Sequence, residues 1–108
     1  MATLEGPVEL LELKDGESRT FTVERWEQGE LMIRPAHRPD GKVVPQLRLH
    51  VSTADKPTFP HYWDVTATTL VAQLRPWLQR PDRARWRITV KAQGVGEKKR
   101  FSVETRPA

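Results

Sequence analysis

Arg85, Arg87, Lys91 and Arg100 stand at positions that share one phase of an alternating pattern near the end of the chain. Arg48 and His50 hold the corresponding phase of an earlier alternating run. Cations spaced two apart on an extended chain project from one face, which is the spacing that lines up phosphate contacts. Arginine suits that task, because its planar guanidinium presents paired donors to a phosphate and also stacks on bases. Lys98-Lys99-Arg100 adds a basic shoulder where a loop can clamp a phosphate backbone, with Lys99 as the candidate beside Arg100. Aromatic rings are the second requirement of a single-strand binder, since every base has a π-face. Trp26 falls out of phase with Phe21 and Val23, and Tyr62 and Trp63 are adjacent, so that only one of the two can face a core. Trp26, Tyr62 and Trp63 are therefore the stacking candidates, while Trp77 and Trp86 follow the apolar periodicity.

The spacing offers little for catalysis. His37, His50 and His61 fall in no metal-binding pattern, and His61 and Asp64 are three apart, a separation that fits a local hydrogen bond. Gly94-Val95-Gly96 lies between two strand patterns with no helix after it, so it is not a dinucleotide loop. No serine sits in a nucleophile elbow, and the absence of cysteine excludes disulfides, thiolate metal sites and thiol nucleophiles together. The reading is a non-enzymatic chain with no cofactor and no metal.

Charge supports the same partner class. Residues 1–30 hold three cations and eight anions, whereas residues 31–108 hold fifteen cations and six anions. The total of +4 conceals a basic body behind an acidic leading segment. A concentrated positive field attracts polyanions. The alternative is a protein-interaction or self-assembly module, in which the acidic edge of one copy meets the basic body of another to form a homo-oligomer.

The elements that must position these groups follow from periodicity. At 108 residues the chain is one domain, 1–108, with room for one modest core. The 37% hydrophobic share is low but sits in periodic runs, which argues against disorder. Strands are expected over Val8–Leu13, Arg19–Trp26, Leu31–Arg34, Gln46–Ser52 and Tyr62–Val65. Asp15-Gly16 marks a turn, and the prolines at 35, 39 and 45 mark a loop over 35–46. Ala67, Leu70, Val71, Leu74, Trp77 and Leu78 make a helical stripe, with Thr66 as the expected N-cap and Pro76 disturbing the last turn. A hairpin over Arg85–Gln93 and Arg100–Arg106 closes the chain. The fold class expected is β-rich α+β: a small OB-like barrel or curved antiparallel sheet of five to six strands, with one helix before the C-terminal hairpin. No secretory leader and no apolar run of membrane-spanning length is present in the sequence, so the expected location is the cytoplasm, that of a virus-infected host included.

Two segments carry a resemblance. Leu13-Lys14-Asp15-Gly16-Glu17-Ser18-Arg19-Thr20-Phe21-Thr22-Val23 resembles the opening turn and strand of small bacteriophage-type single-stranded-DNA-binding proteins. Ile88-Thr89-Val90-Lys91, through Gly94-x-Gly96 to Lys99-Arg100-Phe101-Ser102-Val103-Glu104, is similar to their closing hairpin. The resemblance covers about a third of the chain. It implies an OB-like barrel that binds single-stranded DNA. The chain ends Glu104-Thr105-Arg106-Pro107-Ala108, unlike the acidic tail of many such proteins.

Overall fold

Alternation of buried and exposed residues decides how each strand faces, and two successive strands one residue apart link the two sheets that result. The computed structural model describes residues 3–34 and 40–108; His37 and the prolines at 35 and 39, with their part of the expected loop, lie outside these. Among the described residues there are six strands: β1 (Ser18–Phe21), β2 (Val23–Ile33), β3 (Lys42–Val51), β4 (Tyr62–Val65), β5 (Trp86–Gln93) and β6 (Arg100–Pro107). One α-helix, α1 (Thr68–Leu78), lies between β4 and β5, and short 3-10 turns cover Arg83–Arg85 and Gly96–Lys98.

The strands form two antiparallel sheets of three, ordered β1-β5-β6 and β2-β3-β4. The chain passes from one sheet to the other at Thr22, and the residues flanking that corner, Phe21 and Val23, are fully buried. Leu47, Leu49, Trp63 and Val65 from one sheet meet Phe21, Ile88, Val90 and Ala92 from the other. Leu70, Val71, Leu74 and Leu78 bring the helix stripe onto the same core. The fold is thus β-rich with one helix before the final hairpin, as the periodicity indicates. It consists of two paired sheets rather than a closed barrel.

Several boundaries differ from expectation, each for a physical reason. Val8–Leu13 is not a ladder strand: Leu10 makes one parallel bridge to Asp64, after which Leu13 turns into the core. Of the strand expected at 31–34, Leu31 to Ile33 are the continuation of β2, since the ladder to β3 runs unbroken through Gly29 and Glu30. β3 begins at Lys42 and includes Pro45. A proline is tolerated there because β4 reaches only to Leu47, so that no second ladder needs its missing N–H. The helix starts one residue late, with Ala67 rather than Thr66 at the N-cap position and no side-chain cap. Pro76 stays inside the helix, whose end tightens through a bond from the Arg80 N–H to the Trp77 carbonyl. At the β5–β6 turn Gly94 has φ +84°, and a Cβ there would lie 2.5 Å from the Lys98 carbonyl oxygen, so the turn requires glycine.

The β5 register has a direct test. Val90 is fully buried, while Thr89 faces outward and shares a 2.7 Å hydrogen bond with the Thr20 hydroxyl. Val90→Ala should cost about 1–3 kcal/mol in urea unfolding, and Thr89→Ala about 1 kcal/mol or less. Equal costs would show a register shifted by one residue, which exchanges the two faces.

Candidate nucleic-acid interface

The outward residues of β5 and β6 bring several cations onto one sheet face. Register places Ser18, Lys91 and Ser102 in one row, and Thr20, Thr89 and Glu104 in the next. Arg87 pairs with Arg106, and Gln93 with Arg100. Lys91, Arg100 and Arg106 are exposed, and no carboxylate among the described residues lies within salt-bridge distance of them. Arg106 was missing from the sequence candidates, although it shares the alternation phase of Arg100. Arg85 is exposed just before this face, in the 3-10 turn, and its carbonyl accepts a 2.8 Å bond from the Ala108 N–H.

Arg87 is half-buried and already engaged. It donates to both carboxylate oxygens of Asp55, at 3.0 and 3.2 Å, and to the Thr22 hydroxyl at 3.2 Å. Asp55 also accepts the Thr22 N–H at 3.0 Å, so this group pins the β3–β4 loop to the corner between the sheets. Lys99 likewise has a structural duty. Its ammonium donates to the Leu13 carbonyl and lies 5.5 Å from the Phe101 ring, which ties the last hairpin to the N-terminal segment.

Arg48 does not join this surface. It belongs to the other sheet and is 3% exposed. Its Nε donates to Asp64 at 2.8 Å and its Nη2 at 3.2 Å, a two-point pair with a carboxylate that is itself buried. Its remaining donors reach the carbonyls of Glu5 and Pro7, and its guanidinium stacks 4.1 Å from the Tyr62 ring. Burial works against the Arg48 charge, but the hydrogen bond and charge of Asp64 more than offset it and raise its pKa. His50 pairs with Glu27 at 2.7 Å on the same face, and that hydrogen bond holds the Glu27 carboxyl below its usual range.

The aromatic candidates separate in the same way. Trp63 is 5% exposed and packs against Phe21, with Arg19 and Lys56 over its ring. Tyr62 faces outward but is half-covered, and its hydroxyl donates to the Pro7 carbonyl at 2.6 Å. Burial pushes the Tyr62 phenol up. Trp26 is half-buried against the core, because a bulge between Val23 and Arg25 shifts the phase of β2. Trp77 and Trp86 are half-buried side by side, with Arg80 over both rings and Asp82 accepting from both Arg80 and the Trp86 indole. The hydrogen bonds from Arg80 and Trp86 depress the Asp82 carboxyl strongly. The fully open ring is instead Phe59, 81% exposed on the β3–β4 loop. Alternation could not mark it, because it lies in a proline-rich loop.

Among the described residues no group of three His, Cys, Asp or Glu side chains is placed to hold a metal. No helix among them is long and apolar enough to cross a membrane. No protein-family model, curated protein or solved structure matches the chain.

Proposed function

We propose that this chain binds single-stranded nucleic acid, DNA in the first instance, without catalysis, on an open variant of an OB-like barrel. The observation that carries the reading is the outward face of the final hairpin, where Lys91, Arg100 and Arg106 stand exposed beside Arg85 and Arg87. Lys91, Arg100 and Arg106, with no carboxylate in salt-bridge distance among the described residues, are available to a phosphate backbone. Consecutive strands β1 and β2 that enter different sheets across one residue, with a helix between β4 and β5, support an open OB-like arrangement. The site on this reading comprises Arg85, Arg87, Lys91, Lys99, Arg100 and Arg106, while Arg48 and Trp63, 3% and 5% exposed, hold the fold and do not touch the strand. The chain works in the cytoplasm, that of an infected host included.

Titration with fluorescent poly-dT at two salt concentrations tests this. Three neutralised phosphates give a slope of about 2 log units of binding constant per log unit of salt, at roughly 0.7 each on a single strand. Lys91→Glu combined with Arg100→Glu should weaken binding at low salt and flatten that slope, with an unchanged circular dichroism spectrum. Binding absent at low salt, or flat between low and moderate salt, overturns the reading. Arg87→Glu is a poorer probe, since it also releases Asp55.

A second reading, assembly of copies, sets the acidic N-terminal edge, with Glu5 and Glu12 exposed, against the basic body of another copy. Self-association that dissolves in salt would favour it.

A further inference from the structure

The β3–β4 loop is built around a buried lysine, and what it holds out is a phenyl ring. Lys56 is 6% exposed. Its ammonium donates to the carbonyls of Thr58 and Pro60, the residues on either side of Phe59, and lies 3.7 Å from the Glu9 carboxylate. The Lys56 carbonyl is 2.8 Å from His61 Nδ1, and the His61 carbonyl accepts the Val51 N–H at 3.1 Å. Both ends of the loop are therefore fixed: Asp55 to Arg87 and Thr22, His61 to Val51. Burying an ammonium is costly unless every donor is used, so this scaffold defines the loop shape closely. Phe59 nevertheless remains 81% exposed, with its only aromatic neighbour among the described residues, His61, edge-on at 6.1 Å. Folding gains little from a large ring left in water. One end of its loop is bonded to Arg87 on the cationic face, and the other leads into Tyr62.

We infer that Phe59 is a stacking platform for one base of a single strand whose phosphates lie on the Lys91–Arg100–Arg106 face. This rests on the proposed nucleic-acid binding and adds the base contact that Trp63, being buried, does not offer. A ring already exposed on a loop fixed at both ends needs little rearrangement to accept a base. The loop that carries the platform is tied through Asp55 to Arg87 on the cationic face and to Thr22 at the corner between the sheets.

The test compares a dT oligonucleotide with an abasic strand of equal length, against the parent protein, Phe59→Ala, Phe59→Leu and Phe59→Tyr. One stacked base corresponds to an affinity change of about 5- to 150-fold. Phe59→Ala and Phe59→Leu should lose that factor for dT and leave the abasic strand unchanged, and Phe59→Tyr should keep it. An exposed side chain makes loss of folding easy to exclude by circular dichroism. If the parent binds dT with the expected salt slope and Phe59→Ala binds equally well, the platform is overturned and the binding function stands. Equal weakening for dT and abasic strands, or a Phe59→Leu variant that matches the parent, also overturns stacking. A parent that binds no strand overturns both. A Phe59→Ala effect on mass in solution alone assigns the ring to contact between copies and overturns the platform as well.

Discussion

Arg48→Ala should lower the unfolding free energy by about 3–5 kcal/mol, because it leaves a buried carboxylate without its cation. Asp64 is 1% exposed, and its carboxylate also accepts the Glu9 N–H at 2.9 Å. Removing the guanidinium strands that charge and takes its donor from the Glu5 carbonyl, while the Pro7 carbonyl keeps only the Tyr62 hydroxyl. It also uncovers the Tyr62 ring. Lysine should not restore the loss, since one ammonium cannot reproduce a two-point pair and two carbonyl contacts together. The double variant Arg48→Met with Asp64→Leu should recover most of it, because the strong penalty belongs to breaking the pair, not to lacking it. Urea unfolding of the single and double variants measures this. A single-variant cost below about 1 kcal/mol would mean that water reaches the pair, contrary to its burial.

Phe21→Ala should cost a similar amount, about 3–5 kcal/mol, through the cavity it opens. The ring is fully buried at the corner between the sheets and packs 5.5 Å from Trp63. Its backbone pairs with Ile88, whereas Val23, two residues on, pairs with Val51 in the other sheet. The cavity therefore touches both sheets, and amide protection should fall in β3 and β5 together. Phe21→Leu should cost clearly less. Loss of protection confined to β5 would show that the sheets are energetically separate.

Strand faces were legible because alternation is a local property. Leu47, Leu49 and Val51, and Ile88, Val90 and Ala92, sit inside as their spacing requires. The helix stripe was legible for the same reason. Alternation indicates only that a residue points away from the core; it does not reveal what lies over it. Arg48 and Lys91 have equivalent phases, yet the first is roofed by residues 5–7 and the second meets solvent. The partners of Arg48 are up to 43 residues away, so no window on the sequence contains them. The bulge before Arg25 carries no composition marker, and it turned Trp26 from the expected exposed phase toward the core. Pro45 reads as loop by every local rule; its place in β3 depends on where β4 stops.

The corner between β1 and β2 also orders events in time. β2 and β3 meet across a short connection, as do β5 and β6, so each hairpin can close early from nearby chain. β1 cannot: its partner is β5, and Thr20 bonds Thr89 across 69 residues. Lys99 reaches Leu13 across 86. Closing loops of that length precedes any gain from the contacts they allow, which places such topologies in the millisecond-to-second range. Until then the acidic N-terminal segment and the cationic last hairpin are connected only by the covalent chain. Their opposite charge favours their approach, so the asymmetry between the two parts of the sequence acts in the same direction as the long-range contacts that join them.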